Sequence, residues 1–386
     1  MDVGIVLEGG GARGAYHMGA LKAIYEHNYN IIAITGTSIG AINGAMVAQG
    51  NFEEAYKIWE TIQYTTLFDV NEEKLTAALK KYINFDIVKY LSKKFTDTVK
   101  NGGIGTEKMR DFMDKYIDED KLRASNTRFG LVTFSITDKK PLELFLEDIP
   151  KGLLKNYIMA SGQLPVFKQE ATDGKLYMDG GIYNNCPINM LADNGYKNII
   201  AIRTGSIFRA KDIKRIQKIK DMNLLLVEPK NNLPNILAFD SITSNKLLKL
   251  GYYDAMKKLD KLDGFEYYIN NIDEEIYFES LFNYDNDNLN KIYISLSLVN
   301  RDTKKTLFET VIPTLMKKIG IKEVKTYKEV IVSLIEYVAE KENIEKFKIY
   351  DIIELLQICK SKVVLKGKNK LDEIIYRFIK GLEIKK

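Results

Sequence analysis

The fold follows first from residues 3–14, which read VGIVLEGGGARG. The apolar residues 3–7 predict a short buried strand, and the glycines after them predict a turn. The next stretch, from Ala15 to about Asn28, has the apolar spacing of a helix. A strand, a glycine-rich turn and a helix in this order are typical of the repeating unit of an α/β protein.

A second unit of the same kind follows directly. Residues 31–34 predict another apolar strand, residues 36–40 (GTSIG) another turn, and residues 41–49 a helix that ends before Gly50. Strands this apolar are covered on both faces, as in a parallel or mixed sheet between helices. The N-terminal part of the chain is therefore expected to be an α/β structure.

The remaining strand signals divide the chain into two parts. Further strands are expected at 129–136, 142–146, 175–178, 198–202 and 223–227. Residues 51–128 read mainly as helices that flank the sheet. After about Asp260 the strand signals thin out, and residues 321–386 have helical periodicity. We expect a first domain at 1–260 and a mainly helical C-terminal region of unknown role at 261–386.

The composition excludes several classes of protein. Among the 386 residues, 57 Lys and Arg stand against 52 Asp and Glu, a balance too even for a dedicated nucleic-acid binder. The two cysteines, Cys186 and Cys359, are too few for a disulfide framework or a Cys-rich zinc site. No run approaches the ~18 apolar residues of a membrane span, and Asp2 and Glu8 interrupt the pattern of a secretory signal. We therefore expect a cytoplasmic protein.

The first motif that carries chemistry is the glycine-rich turn at residues 9–14. It fits the G-x-G-x-x-G pattern of dinucleotide-binding proteins, which place an acidic residue ~20 positions later, at the end of the next strand. Residues 34–37 contain no acid, which disfavours that interpretation. Exposed N–H groups in such a loop, next to a helix N-terminus, also stabilise any other anion, including one formed only in a transition state.

The second motif is Gly36-Thr37-Ser38-Ile39-Gly40, which matches G-x-S-x-G between a strand and a helix. In that context the glycines allow a sharp turn that exposes the Ser38 hydroxyl, as in a nucleophile elbow. The alternative is a plain tight turn in which the serine only caps the helix.

The two histidines limit the choice of a catalytic base. His17 and His27 both precede Ser38, whereas an α/β-hydrolase orders its triad as Ser, acid and His. A packing role is expected for both, and the base must then be a Lys or an Asp. Asp179-Gly180-Gly181 offers an acid at the end of a predicted strand. An ionised Asp within ~2.6–3.2 Å of the serine hydroxyl can accept its proton.

Together the three motifs resemble the patatin-like phospholipase family, in the form of a bacterial-type patatin domain with a C-terminal helical extension. The resemblance covers about residues 1–260 and implies a three-layer α/β/α fold around a mostly parallel sheet. It implies Ser38 as the nucleophile, Asp179 as the base, and an oxyanion hole from backbone N–H groups around Gly10, Gly11 and Ala12. Gly9 and Gly14 belong to the same oxyanion-hole or substrate-binding loop. Arg13 would either steady the loop or meet a lipid phosphate, unless it is a solvated loop residue with neither role. The supporting motif glycines are Gly36, Gly40, Gly180 and Gly181.

Other blocks of the sequence are similar to the same family. They are residues 14–19, residues 160–165 with Phe167, and Asn185-Cys186-Pro187. Ser161, in the second block, is a rival nucleophile. Because Met159 stands where an elbow requires glycine, Ser161 is interpreted as a small residue in the wall of the site.

The resemblance implies a serine lipid acyl hydrolase of the phospholipase A or lysophospholipase type, without metal or cofactor. Two alternatives stay open: a soluble esterase or thioesterase with the same dyad, and a non-hydrolytic nucleotide-binding module. The substrate would be a membrane phospholipid or another acyl lipid, so peripheral membrane contact is expected.

Residues 209–220 carry six Lys or Arg against one Asp, with isoleucines at helical spacing. They predict an amphipathic helix, either membrane-bound or merely at the surface. The basic tail 360–386 is open to the same alternatives or to a protein partner.

Overall fold

A computed structural model describes the chain at residues 1–68, 105–165, 167–205, 221–298, 303–321, 323–363 and 370–385. The basic segment 209–220 and part of the predicted helical stretch 51–128 lie outside the described residues. The chain divides into two compact units, Met1–Leu259 and Asp260–Lys386.

A sheet forms the centre of the first unit. Its seven described strands are β1 (Asp2–Leu7), β2 (Asn30–Thr37), β3 (Arg128–Ser135), β4 (Lys140–Phe145), β5 (Tyr177–Asp179), β6 (Asn198–Ile202) and β7 (Asn223–Val227). The order across the sheet is β4-β3-β2-β1-β6-β7, with β5 also paired to β3. The pairs within β3-β2-β1-β6-β7 are parallel, whereas β4 and β5 run antiparallel to β3. The predicted mostly parallel sheet is confirmed.

Helices cover both faces of this sheet. They are α1 (Gly14–Glu26), α2 (Ile39–Ala48), α3 (Phe52–Thr61), α4 (Glu107–Tyr116), α5 (Glu119–Arg123), α6 (Leu154–Ser161), α7 (Ile188–Ala192) and α8 (Ser241–Leu259). Side chains alternate along a strand, so Ile5 and Leu7 of β1 join one buried core with α1 and α2. Val6, between them, joins a second core with α7. Each face of the sheet therefore packs against its own helices, which gives the three layers that the family resemblance implies.

The pairing of β3 explains how two distant motifs meet. Along one edge, β3 pairs with β2 as far as Val132, which lies opposite Thr37. From the next residue, Thr133, the same strand pairs with β5, and Thr133 lies opposite Asp179. Neighbouring residues of a strand are only ~3.3 Å apart along its axis. The end of β2 and the end of β5 are therefore brought together at one point of the sheet.

The second unit is mainly helical, as expected for the C-terminal region. Its helices are α9 (Glu274–Phe282), α10 (Asn286–Leu296), α11 (Thr303–Thr306), α12 (Ile312–Lys318), α13 (Tyr327–Lys341), α14 (Ile352–Lys362) and α15 (Lys370–Gly381), and a π-helical turn spans Leu307–Val311. Two short parallel strands that the sequence did not indicate, β8 (Tyr268–Ile269) and β9 (Ile349–Tyr350), pair with each other within this unit. In the tail, α15 buries Ile375, Phe378 and Ile379 in the core of this unit. No helix in the described ranges is both long and apolar enough to cross a membrane.

Candidate active site

Three strand ends converge at one edge of the sheet. Leu7, the last residue of β1, pairs with Gly36 of β2 and with Ile202, the last residue of β6. The carboxyl ends of parallel strands in an open α/β sheet form the usual ligand crevice. The glycine-rich loop, Ser38 and the residues after β6 all leave the sheet at this edge.

Ser38 lies on a sharp turn between β2 and α2. Its φ of 57° and ψ of −126° are unusual for a residue with a side chain. The glycines on either side of Ser38 make this turn possible, because other backbone atoms lie too close to them for a side chain. A Cβ at Gly36 would lie 2.3 Å from the Gly40 carbonyl oxygen, and one at Gly40 would lie 2.2 Å from that of Leu7. The strained backbone presents a half-buried serine at the N-terminus of a helix, as the G-x-S-x-G pattern predicts.

Ser161 holds this turn in place through a hydrogen bond to the Ser38 backbone. Its hydroxyl accepts a hydrogen bond from the Ser38 backbone N–H at 2.9 Å and donates one to the Val132 carbonyl at 2.7 Å. Ser161 is fully buried, so its oxygen has no access to a substrate. The rival nucleophile of the sequence is thus a support for the Ser38 turn.

Asp179 ends β5 and faces Ser38. Its carboxyl accepts a hydrogen bond from the Gly181 N–H at 2.7 Å, and the Ser38 hydroxyl lies close enough to act as a second donor and lower the pKa of the carboxyl. Its own backbone N–H donates to the Gln163 carbonyl at 2.9 Å, which fixes the strand end. The residue is only 7% exposed. Burial raises the pKa of Asp179 to about 6, although both hydrogen bonds act to lower it. The carboxyl is therefore ionised at neutral pH but is more basic than an ordinary Asp.

The glycine-rich loop leaves two backbone N–H groups without partners among the described residues. The Gly9 N–H donates to the Asn185 carbonyl at 3.0 Å, and the Ala12 N–H donates to that of Ile236 at 2.7 Å. The N–H groups of Gly10 and Gly11 make no such bond, and both glycines line the same cavity as Ser38. Of the three N–H groups expected in the oxyanion hole, that of Ala12 is already engaged. Those of Gly10 and Gly11 remain as candidates among the described residues.

Arg13 binds protein carbonyl groups. Its guanidinium donates to the carbonyl oxygens of Pro234 at 2.8 Å, Thr204 at 3.1 Å and Leu233 at 3.3 Å. These contacts tie the glycine-rich loop to two other chain segments. Of the two roles expected for Arg13, the geometry favours steadying the loop.

Neither histidine belongs to the site. His17 is fully buried in α1, and burial lowers its pKa to about 3, which keeps the ring neutral. One ring nitrogen lies 3.4 Å from the Asn43 side chain. His27 lies at the end of α1, where its ring contacts the Ala23 carbonyl at 2.8 Å. The described residues contain no group of three or more His, Cys, Asp or Glu that could hold a metal ion.

A largely apolar cavity of about 520 Å³ opens beside Ser38. This size is typical of small-molecule sites. The α2 residues Ile39, Ile42 and Met46 form one wall. Further walls come from Ile58, Trp59, Phe68, Met109, Phe112, Leu164, Phe167, Leu237 and Phe239. An apolar lining of this kind, with Ser38 as one of its few polar residues, is chemically suited to a hydrocarbon chain.

Two residues of the site escaped the sequence analysis. Thr204, two positions after β6, contacts the glycine-rich loop, and Asn185 binds Gly9 through both its backbone and its side chain. Asn185 stands in a block similar to the family, although no role was assigned to it. For Thr204 the only signal in the sequence was its position, as a polar residue two positions after a buried strand.

Comparisons with known proteins agree with the sequence pattern. Residues 5–192 match the family model described as Patatin-like phospholipase. Patatin-like phospholipase domain-containing protein 6 of Mus musculus is 30% identical over 212 residues, which are 53% of this chain and 14% of that protein. Lysophospholipase NTE1 of Candida albicans is 28% identical over 213 residues, or 53% of this chain and 13% of the relative. The chain thus matches only a small part of these long relatives.

Among solved structures, VipD from Legionella pneumophila aligns with 98% of this chain and 84% of its own, at 14% identity and a TM-score of 0.40. The family resemblance inferred from the three motifs is confirmed by the family model and the curated relatives.

Proposed function

Residues 5–192 of this chain form a patatin-like phospholipase domain, and from that premise we propose that the protein is a serine lipid acyl hydrolase. It cleaves fatty-acyl esters of phospholipids or related glycerolipids, in the manner of a phospholipase A or lysophospholipase. One observation carries the proposal. The Ser38 hydroxyl and the Asp179 carboxyl lie together in the lining of one apolar cavity, beside Gly10 and Gly11, whose N–H groups have no partner among the described residues.

Acylation uses these groups in sequence. The Asp179 carboxylate takes the hydroxyl proton while Ser38 Oγ attacks the ester carbonyl carbon. The carbonyl oxygen becomes an oxyanion and receives hydrogen bonds from the N–H groups of Gly10 and Gly11. Such preorganised donors lower a barrier most, because they act on charge that develops in the transition state. The intermediate collapses, the ester C–O bond breaks, and the leaving alcohol takes the proton from Asp179.

Deacylation repeats the same steps with water. Asp179 removes a proton from a water molecule, which attacks the acyl-Ser38 ester, and the second oxyanion binds the same loop. Its collapse releases the fatty acid and returns the proton to Ser38. A pKa near 6 suits Asp179 to both roles, because general acid–base catalysis is most effective close to the working pH. Every step uses groups of the chain itself.

The lipid class is supported by the cavity and by the names of the relatives. An apolar lining stabilises a hydrocarbon chain by about 0.8 kcal/mol per buried CH₂ group. Relatives bear the names phospholipase and lysophospholipase. Because such substrates sit in a bilayer or micelle, the protein is proposed to dock peripherally at a lipid surface.

The test is release of fatty acid from phosphatidylcholine vesicles and lysophosphatidylcholine micelles. We expect Ser38→Ala to lower the rate at least about 1,000-fold, as for other nucleophile deletions. Asp179→Asn should fall in the same range, because no other base faces the hydroxyl in the described site. Ser295→Ala, a matched change in α10 of the second unit, should keep the wild-type rate. A Ser38→Ala protein with wild-type activity would refute the dyad.

The two alternatives give different results. A soluble esterase or thioesterase would hydrolyse monomeric p-nitrophenyl or thioester substrates with no gain in rate on vesicles. A nucleotide-binding module would bind ATP or NAD, and Ser38 would not react with a fluorophosphonate probe. The end of β2 at Thr37 carries no acidic residue for a ribose, which disfavours the nucleotide alternative.

A further inference from the structure

Thr204 binds the glycine-rich loop with all of its polar groups. The residue is fully buried, two positions beyond β6. Its backbone N–H donates to the Glu8 carboxyl at 2.6 Å, and its hydroxyl donates to the Gly9 carbonyl at 2.7 Å. Its own carbonyl accepts the Arg13 guanidinium at 3.1 Å. Thr204 thus contacts Glu8 just before the loop, Gly9 at its start and Arg13 near its end.

These contacts set the direction of the two free N–H groups. In a planar trans peptide the C=O and the following N–H point in opposite directions. The Gly9 carbonyl is held by the Thr204 hydroxyl and by the Asn185 side-chain amide at 3.2 Å, so the Gly10 N–H points away from both. The Gly10 carbonyl accepts the Arg13 N–H at 3.1 Å, which fixes the Gly11 N–H in the same way.

The packing of Thr204 against the loop is equally close. A Cβ at Gly10 would lie 2.6 Å from the Thr204 hydroxyl oxygen, so only glycine permits this contact. Beneath Thr204, the Glu8 carboxyl is fully buried and lies 3.8 Å from the guanidinium of Arg203. The Thr204 hydroxyl lies 2.7 Å from the Gly9 carbonyl oxygen and 3.3 Å from the Glu8 carboxyl, so the shorter of its two contacts is the one to Gly9.

We propose that Thr204 is a positioning residue for acyl transfer. Its hydroxyl aims the Gly9–Gly10 peptide so that the Gly10 N–H meets the oxyanion of the tetrahedral intermediate. The inference rests on the proposed hydrolase function and adds a residue outside the three sequence motifs. A misdirected N–H donor stabilises the transition state less, whereas the apolar cavity still binds the acyl chain as before.

The test compares Thr204→Val with Thr204→Ser. Valine keeps the shape and removes the hydroxyl, while serine keeps the hydroxyl. Thr35→Val is the matched control, because Thr35 is also fully buried and its hydroxyl donates to a backbone carbonyl, that of Pro187 at 3.3 Å. Each protein is assayed with p-nitrophenyl octanoate, with an octyl trifluoromethyl ketone that forms a tetrahedral adduct on serine, and with 1-octanol as an uncharged, non-reacting ligand.

We expect Thr204→Val to lower kcat about 10- to 100-fold, the cost of a misplaced catalytic group, with KM unchanged. The trifluoromethyl ketone should bind more weakly by a similar factor, because it forms the same oxyanion. The affinity for 1-octanol should not change, as read from the fluorescence of Trp59, the single tryptophan, which lines the cavity. Serine at position 204 should restore most of the rate, and Thr35→Val should behave as wild type.

Three results would overturn the inference. They are an unchanged kcat in Thr204→Val, an equal loss in Thr204→Ser, and an equal loss of ketone and 1-octanol binding, which would indicate a structural role. Thr204→Ala provides a second hydroxyl-free protein if valine impairs folding. A wild-type protein without esterase activity and without ketone binding would instead refute the proposed function, which separates the two failures.

Discussion

Replacement of the buried Asp179 by Asn should make the protein more stable while abolishing catalysis. Burial raises the pKa of Asp179 to about 6, against about 3.9 in an unfolded chain. Between these values the native state binds more protons than the unfolded state, so wild-type stability falls as the pH rises through this range. At ~1.36 kcal/mol per pKa unit, the buried charge costs about 3 kcal/mol at pH 8. Asparagine has no charge to bury, and its side-chain oxygen still accepts the Gly181 N–H.

The assay is urea unfolding followed by the fluorescence of Trp59, which lies in the first unit together with Asp179. We expect Asp179→Asn to exceed wild type by about 3 kcal/mol at pH 8 and by about 1 kcal/mol at pH 4.5, where wild-type Asp179 is mostly protonated. In a thermal melt the difference at pH 8 corresponds to a Tm higher by about 6–12 °C.

A surface aspartate provides the control. The Asp138 side chain accepts a hydrogen bond from Lys175 at 2.8 Å, and this bond lowers the pKa of Asp138. Asp138→Asn should therefore give no gain in stability at pH 8. If Asp179→Asn is no more stable than wild type at pH 8, or if its advantage does not shrink on acidification, then burial of a charge at position 179 is not the cause we infer.

Three further outcomes are expected. Ser161→Ala should lose about 2–4 kcal/mol of stability, because it removes the hydrogen bonds to the Ser38 N–H and to the Val132 carbonyl, and an unchanged urea midpoint would contradict this. The kcat/KM of the wild type should rise with pH through about 6 as Asp179 loses its proton, and a flat profile between pH 5 and 8 would exclude Asp179 as the base. Met46 lines the cavity ~12 Å along α2 from Ser38, so Met46→Trp should depress hydrolysis of long-chain p-nitrophenyl esters more than short-chain ones; an equal loss for all chain lengths would count against this path for the acyl group.

Asp179 and Ser38 are both held in an unfavourable state by the structure around them. A carboxyl that is buried at a cost in stability, and a serine on a strained turn, are both maintained by the surrounding structure. The Ser161 hydrogen bonds hold the turn, and the pairing of β5 with β3 holds the carboxyl. In the proposed function, these contacts offset the stability lost at the two positions and keep a basic carboxylate next to the half-buried Ser38 hydroxyl.

The sequence by itself determined the local elements of the site. Apolar runs followed by glycine-rich turns indicated β1, β2 and the helices after them, because strand and helix periodicity is a property of neighbouring residues. The count and positions of His17 and His27 excluded a Ser-acid-His triad without any structure. The G-x-S-x-G and D-G-G motifs singled out Ser38 and Asp179, because a sharp turn around a reactive group requires glycine at fixed short spacings.

Only the tertiary structure decided how these elements meet. The succession of β2 and β5 along β3 joins residues far apart in the chain, and no local pattern encodes that register. The same holds for Thr204, about 195 residues from the carbonyl it binds, and for the Ile236 carbonyl that engages the Ala12 N–H. Which backbone groups stay free to bind an oxyanion depends on which others find partners, and those partners come from distant segments brought together by the folded sheet.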